Sequence, residues 1–245
     1  METAHSNRWY DWYQSFDQNH SPEARQAWYS GAAKAYRWAR PSYPNTLIEQ
    51  VEQAIAQARL IQSGLTQSGL AQAELSQAEP ASVLEIGCGP GIATAALATK
   101  GLSIIGIEPS PAACALARQA CEAYPAVRIV NSTFEAYPLH EQTFDAVIAA
   151  TSFHWIAPEV ACEKSAAALK STGALILLWA TPPQPSPEIC EALQPIYDRH
   201  GLNELGQDQC RTQAYYQANF EMFADAVNGH WFRQVGQDKV SIYIG

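Results

Sequence analysis

The feature that most constrains this sequence is a short apolar run followed by a turn with three glycines. The run at 83–86 is predicted to be a strand, and glycines occupy positions 87, 89 and 91. Residues 92–98 then have the composition of a helix. Glycines at these places allow a tight turn and a close approach of the backbone to a ligand, and the helix N-terminus adds free N–H donors. We interpret the turn as a ligand-binding loop rather than a βα turn that binds nothing.

From residue 83 to residue 179, apolar segments alternate with segments of helical composition. Near-continuous apolar strands separated by helices indicate a parallel sheet covered on both faces. The predicted fold class is therefore α/β, a doubly wound, mostly parallel sheet. The predicted strands are 83–86, 102–107, 127–130, 144–150 and 174–179, and the predicted helices between them are 92–98, 111–122 and 158–170.

Composition divides the chain into three predicted parts. Residues 1–57 are rich in aromatic side chains and are predicted to form a helical cap, in which the aromatics either pack the cap, which we favour, or form a lid. Residues 58–82 consist mainly of Gln, Ala, Ser, Leu and Gly and are predicted to be a low-complexity insertion. Leucines recur there every five residues, but four weak copies are too few to stack as a repeat module. Residues 83–245 are the predicted ligand-binding core.

Charge and hydropathy argue against several kinds of partner. The formal net charge of -9 is opposite to what nucleic-acid phosphates require. The longest apolar run, 174–180, is too short to cross a bilayer, and residues 1–12 contain no signal-peptide core. The six cysteines lack metal-ligand spacing and are expected to be reduced and mostly buried. The prediction is a cytoplasmic protein without nucleic acid, membrane or metal as partner, and the sequence carries no signal for the oligomeric state.

Two acidic residues indicate the ligand of the glycine loop. Glu108 ends the second predicted strand, 17 positions after Gly91, where an acid binds the ribose hydroxyls of an adenosine cofactor. A dinucleotide fingerprint needs a glycine where Ile92 stands, and a P-loop needs a following Gly-Lys-Ser/Thr. Glu85 precedes the loop, and its charge suits a cation better than a pyrophosphate. S-adenosylmethionine (SAM) carries a sulfonium and an ammonium group, so charge favours SAM over NAD.

The run Glu85-Ile86-Gly87-Cys88-Gly89-Pro90-Gly91, with Glu108, resembles motif I and the ribose acid of class I SAM-dependent methyltransferases. The resemblance covers roughly residues 29–179. Further segments are similar to a small-molecule subgroup that includes trans-aconitate-type methyltransferases: Tyr36-Arg37-Trp38-Ala39-Arg40-Pro41-Ser42-Tyr43-Pro44, Thr133-Phe134-Glu135, Phe144-Asp145-Ala146-Val147 and Ser152-Phe153-His154-Trp155.

The resemblance implies an enzyme with SAM as cofactor and a small-molecule methyl acceptor. His154 is a candidate for either a general base or a pocket wall. Arg40 and Tyr43 would close the site, and the arginine fork suits a small carboxylate acceptor, with a surface salt bridge as the alternative role for Arg40. The residues implied to bind the cofactor are Tyr36, Glu85, Gly87, Cys88, Gly89, Gly91, Glu108, Pro109, Thr133, Phe134, Glu135 and Thr151.

The chain departs from the subgroup's pattern at residues 58–82 and at its C-terminus. Members are expected to continue past a segment like 243–245 into more helix and a closing antiparallel strand. An alternative is that 231–235 and 240–244 pair as a hairpin and supply both final strands. Two rival functions stay open on the sequence alone: a methyltransferase-like protein that binds SAM without catalysis, and a NAD-dependent oxidoreductase.

Overall fold

The computed structural model describes residues 6–63, 79–180, 186–200 and 240–244. Three helices precede a domain in which strands and helices alternate. The helices are α1 (Ser6–Asn19), α2 (Pro22–Ala39), α3 (Asn45–Ser63), α4 (Ile92–Ala98), α5 (Pro111–Ala120), α6 (Pro158–Ala168) and α7 (Pro187–Arg199). The strands are β1 (Ser82–Ile86), β2 (Ser103–Glu108), β3 (Val127–Asn131), β4 (Phe144–Ala150), β5 (Leu169–Trp179) and β6 (Val240–Ile244).

The six strands form one sheet in the order β3-β2-β1-β4-β5-β6, and every pairing between them is parallel. The chain first runs outward from β1 through β2 to β3, and then returns to β4 on the other side of β1. This reversal leaves a crevice at the carboxyl ends of β1 and β4, where open α/β sheets bind their ligands. The predicted doubly wound fold class is confirmed.

Both faces of the sheet are buried. On one face, Trp9 of α1 and Cys162 of α6 join a core cluster with Leu84 and Val147. On the other, Val51 and Ile55 of α3 pack with residues such as Ile104 and Ile148. The near-continuous apolar strands of the sequence are therefore explained by burial from two sides.

The fifth strand begins earlier than the sequence predicts. Helix α6 ends at Ala168 and β5 begins at Leu169, whereas the expected helix ran to 170 and the expected strand began at 174. Lys170 pairs with Asp145 at 2.8 Å, which holds this polar segment against β4. A Cβ at Gly173 would lie 3.0 Å from the carbonyl oxygen of Phe144, and the register shifts there. Glycine thus permits an irregular strand segment at this point. The polar composition of the segment gave no sequence signal for a strand.

Helix α3 extends into the segment predicted to be an insertion. It continues to Ser63, and Leu60, the first leucine of the five-residue pattern, is buried. The remaining three leucines of that pattern lie in residues 64–78, outside the described part of the chain. The division into cap, insertion and core stays a prediction. Helix α3 ends six residues after position 57, the predicted end of the cap.

The C-terminal strand covers the edge of β5. Leu175 is in register with Val240 and Trp179 with Ile244, so β6 runs parallel to β5. The segment 231–235, its predicted hairpin partner, lies outside the described residues. Within the described ranges, no helix has the length and apolar character needed to cross a membrane.

The cysteines differ in part from the expectation. Four of them are free and buried: Cys88, Cys114, Cys121 and Cys162. Cys190 of α7 is disulfide-bonded, so the prediction of reduced thiols is wrong for this residue. Cys190 lies on a helix whose surface is largely exposed, away from the core that shields the other four. The described residues contain no group of three or more potential metal ligands.

Candidate functional site

The three glycines of the loop each adopt a left-handed backbone conformation, and each lies against a different part of the protein. Their φ angles are +65° at Gly87, +54° at Gly89 and +81° at Gly91. A Cβ at Gly87 would lie 2.6 Å from the Cβ of Ser152, and one at Gly89 would lie 2.6 Å from the hydroxyl oxygen of Tyr29. The loop is therefore pressed against the turn after β4 and against helix α2.

A small cavity that is partly open to solvent lies beside this loop, at the carboxyl end of β1. Its walls come from the glycine loop, from the ends of β4 and β5, and from the segment that links α2 to α3. It brings together seven of the residues predicted for the site from sequence: Tyr36, Arg40, Tyr43, Glu85, Gly87, Cys88 and Gly89. Tyr29, Pro41, Pro90, Ile92, Ala93, Ala150 and Ala180 complete the lining.

Glu85 contributes a buried carboxyl group to the lining of this cavity. Its side chain has no exposed surface, and no described residue donates a hydrogen bond of normal geometry to either carboxylate oxygen. Burial raises the pKa of Glu85 to about 7, and the nearby Glu108 carboxylate adds to the rise. The hydroxyl of Thr94 lies near enough to oppose the rise, although it forms no well-aligned hydrogen bond. An unpaired carboxylate in this position is suited to a cationic ligand.

Glu108 is held by backbone donors. Its Oε2 accepts from the Gly89 N–H at 3.0 Å and its Oε1 accepts from the Ser110 N–H at 2.7 Å. Burial raises the pKa of this carboxyl, and the same two N–H groups limit the rise. Each carboxylate oxygen has a second lone pair, so both remain able to accept from a ligand hydroxyl. Glu108 is 3% exposed and lies next to the cavity rather than on its wall.

Arg40 is positioned by two protein acceptors. Its Nε donates to the Tyr36 hydroxyl at 3.1 Å, and its Nη2 donates to the Ala180 carbonyl at 3.2 Å. The guanidinium also lies 5.2 Å from the centre of the Tyr36 ring. No carboxylate among the described residues pairs with Arg40, so the structure gives no support to the salt-bridge alternative. Among the described residues, no acceptor lies within hydrogen-bond distance of Nη1.

Tyr43 and Thr151 connect the arginine segment to the ends of the central strands. Burial raises the pKa of Tyr43, while a hydrogen bond with Thr151 opposes the rise. Thr151 has a positive φ of 58°, and its hydroxyl accepts from the Ala180 N–H at 3.1 Å. The Thr151 side chain thus joins the ends of β4 and β5 and is not on the cavity wall. Next to it, the Ser152 hydroxyl donates to the Ile86 carbonyl.

His154 lies among aromatic side chains outside the cavity wall. The Trp179 Nε1–H donates to its Nδ1 at 3.4 Å, and the rings of Trp12 and Trp155 lie within 6 Å of it, at 5.9 Å and 5.7 Å between centroids. Burial lowers the pKa of His154 to about 4, although solvent reaches part of the side chain. Because Nδ1 accepts, the ring proton is on Nε2, so the neutral ring presents a donor there.

Five further predicted cofactor contacts do not present their side chains to the cavity. Gly91 packs against helix α5, and the Cys88 thiol points into a small core cluster even though the residue lines the cavity. The Phe134 ring is buried in the core with the Lys164 ammonium 5.3 Å from its centre, so its ring is not offered to a ligand. Thr133 and Glu135 are exposed at the turn after β3.

Helix α2 contributes contacts that the sequence reasoning missed. The Gln26 amide donates to the Pro109 carbonyl at 2.5 Å, and the hydroxyls of Ser30 and Ser110 lie 2.8 Å apart. Tyr29, between them, reaches the glycine loop. The sequence does contain a signal for the position of Tyr29. It precedes Tyr36 by seven residues, a spacing that puts both side chains on one face of a helix.

Residues 84–177 match the family model described as a methyltransferase domain. An uncharacterized methyltransferase from Mycobacterium bovis (strain ATCC BAA-935 / AF2122/97) and one from Mycobacterium tuberculosis (strain ATCC 25618 / H37Rv) are each 29% identical over 153 residues, which is 62% of this chain. The chain spans about half the length of these curated relatives, 52% in each case.

Solved structures of methyltransferases are also similar to part of the chain. The SAM-bound structure of an amino pentose methyltransferase from Micromonospora echinaspora is 26% identical, covers 61% of this chain and 56% of its own, and gives a TM-score of 0.44. The CcbJ methyltransferase from Streptomyces caelestis is 20% identical, covers 60% and 54%, and gives a TM-score of 0.40.

Proposed function

We propose that this chain is a SAM-dependent methyltransferase acting on a small molecule, and the match of residues 84–177 to the methyltransferase domain model supports this. The finer part of the proposal is that the acceptor is a small carboxylic acid, as in the trans-aconitate-type subgroup that the sequence resembles. The cofactor would be held at the glycine loop, with its amino-acid end in the cavity beside Glu85.

The observation that carries the proposal is the buried carboxylate of Glu85, which has no hydrogen-bond partner among the residues that the structure describes. A buried charge without a partner is costly, and an opposite charge from a ligand offsets that cost. SAM brings two positive groups and one carboxylate, so its net charge is positive, whereas the pyrophosphate of NAD would add two negative charges beside Glu85 and Glu108. The residues present therefore fit SAM, and the same charges argue against the oxidoreductase alternative.

When bound, SAM supplies a methyl group that its sulfonium already activates. The chain's contribution is then mainly to bind and align the two reactants, since proximity and orientation provide much of the acceleration. Gly89 leaves space for the Tyr29 hydroxyl beside the loop. Glu85 would balance the positive charge of the cofactor, and Glu108 would offer its second lone pairs to the ribose hydroxyls. The aromatic rings around His154 would form an apolar wall on the side of the turn after β4.

Arg40 supports the carboxylate as acceptor. It faces the same cavity as Glu85, so one pocket carries an anion for the cofactor and a cation for an acidic acceptor. An arginine fork orients a carboxylate better than a single ammonium does. A carboxylate also needs no general base, which agrees with a neutral His154 whose Nδ1 already accepts from Trp179.

Calorimetry with SAM, S-adenosylhomocysteine and NAD separates this proposal from both rivals. We expect SAM and S-adenosylhomocysteine to bind and NAD not to bind. Glu108→Ala should weaken SAM binding by roughly 1–3 kcal/mol, because a charged acceptor is lost, whereas Glu122→Ala, at an exposed position, should leave it unchanged. NAD binding without SAM binding would refute the proposal. SAM binding with no methyl transfer to carboxylates, phenols or amines would favour the non-catalytic alternative.

A further inference from the structure

Helix α2 places one more polar group at the cofactor cavity, the hydroxyl of Tyr29. Its oxygen is the atom that a Cβ at Gly89 would meet at 2.6 Å, so it lies directly over the middle glycine of the loop. Its ring packs edge-on against that of Tyr36, with centroids 5.4 Å apart. The Tyr29 side chain is one wall of the cavity that also contains Glu85 and Arg40.

This hydroxyl has no hydrogen-bond partner among the residues that the structure describes, whereas the Tyr36 hydroxyl accepts from Arg40. Burial raises the pKa of Tyr29, and the nearby Tyr36 and Glu108 raise it further. The phenol is therefore protonated across the physiological range and acts as a donor. This half-buried donor faces a ligand cavity and has no acceptor in the described part of the chain, so an oxygen of a ligand could accept from it.

The position of Tyr29 is fixed by the helix that carries it. Gln26, one turn before it, donates to the Pro109 carbonyl, and Ser30 shares a hydrogen bond with Ser110. Two turns after it, Arg37 donates to the Leu116 carbonyl of α5 at 2.7 Å. These three contacts lie along the segment that follows β2, so α2 is held beside Glu108, where the ribose would bind.

We propose that Tyr29 is a cofactor-binding residue whose hydroxyl donates a hydrogen bond to an oxygen of SAM. The inference rests on the proposed function, because it takes SAM as the ligand of the cavity. Two kinds of cofactor oxygen have the required chemistry: those of the ribose, next to Glu108, and those of the methionine carboxylate, on the side of Glu85.

The test is binding of S-adenosylhomocysteine and of 5′-methylthioadenosine to Tyr29→Phe, which keeps the ring and removes only the hydroxyl. We expect the Kd of S-adenosylhomocysteine to rise by about three- to tenfold, the range that one hydrogen bond supplies. Methylthioadenosine has the ribose but no amino-acid part. An equal loss for both ligands assigns the ribose oxygens, and a loss for S-adenosylhomocysteine alone assigns the carboxylate.

The matched control is Tyr124→Phe, since Tyr124 packs on the second core cluster away from the cavity. It should leave both Kd values unchanged, and the ligand-free melting temperature of Tyr29→Phe should equal that of the wild type. A Kd for Tyr29→Phe within twofold of the wild type, for both ligands, overturns the inference but leaves the proposed function standing. A wild-type chain that binds neither ligand overturns both.

Discussion

The backbone of Gly91 is in direct contact with Ala117 on helix α5. A Cβ added at Gly91 would lie 2.9 Å from the Ala117 Cα and 3.1 Å from its Cβ. Gly91 also caps helix α4 with a φ of +81°. The third glycine of the loop thus permits α4 and α5 to pack closely, whereas Gly87 and Gly89 border the cavity. A role in packing differs from the cofactor contact that the sequence predicted for Gly91.

Gly91→Ala should destabilise the fold more than Gly101→Ala. Both glycines have left-handed φ angles, at +81° and +71°, but a Cβ at Gly101 would meet nothing within 4 Å. Gly101→Ala should therefore cost only about 1–2 kcal/mol of conformational strain. Gly91→Ala should cost roughly 1–3 kcal/mol more, because Ala117 must move. Urea denaturation measures both, and equal losses would show that the α4–α5 contact adapts without cost.

Glu85→Gln should stabilise the ligand-free protein at pH 8. Burial raises the pKa of Glu85 from 4.5 to about 7, so between these values the folded state binds more protons than the unfolded state. Stability due to this group is therefore full below about pH 4.5 and is lost as the pH rises through 7. The cost at pH 8 is on the order of 3 kcal/mol, and a neutral amide avoids much of it.

Thermal or denaturant unfolding at pH 5 and pH 8 checks this prediction. The advantage of Glu85→Gln over the wild type should be large at pH 8 and should nearly vanish at pH 5. Glu122→Gln, at an exposed position, controls for removal of a charge and should change little. A variant less stable than the wild type at pH 8 would mean that Glu85 has a favourable partner without ligand.

The same carboxylate makes cofactor affinity depend on pH. The ionised form of Glu85 binds a cation, so the Kd for SAM should fall as the pH rises from 6 to 8 through the pKa of about 7. Binding should also release a proton near pH 6.5, since a bound cation lowers that pKa. Calorimetry in two buffers of different ionisation enthalpy measures the released proton. An equal pH slope in Glu85→Gln would assign the dependence to another group.

The sequence was sufficient where burial or local chemistry decides the structure. The apolar run at 144–150 is strand β4 with the predicted boundaries. The predicted start of the helix at 111 is confirmed, and the Ser110 hydroxyl caps α5 by accepting from the Ala113 N–H at 3.1 Å. Glu85, Gly87 and Gly89 line the cavity together, because their spacing fixes the turn after β1, and their contact with the cofactor stays a prediction.

The remaining features depend on packing between segments that are distant in sequence. Tyr29 reaches Gly89 only because Gln26 and Ser30 bind the residues after β2, about 80 positions along the chain. The Phe134 ring faces the core, although its place after β3 suggested the adenine, because an apolar ring gains more from burial there. No local sequence pattern predicts how α2 packs against the glycine loop.

His154 should behave as a neutral hydrogen-bond donor and not as a base. Burial lowers its pKa to about 4, and Trp179 donates to Nδ1. Nitrogen NMR of the imidazole should therefore report the Nε2–H tautomer from pH 5 to pH 8, and the rate profile should lack a histidine ionisation in that range. His154→Gln, which retains a donor, should keep more activity than His154→Leu. A titration near pH 6.5 would restore His154 as a candidate base.

Arg40→Lys should raise the KM of a carboxylate acceptor about tenfold or more while leaving the Kd for SAM nearly unchanged. Lysine keeps the charge but lacks the fork, and it loses the bond from Nε to the Tyr36 hydroxyl that positions the guanidinium. Arg118→Lys is the control, because Arg118 donates to the Ile129 carbonyl away from the cavity. A rise in the SAM Kd by the same factor would move Arg40 to the cofactor. Turnover of a phenol or amine with none for carboxylates would refute the acidic acceptor.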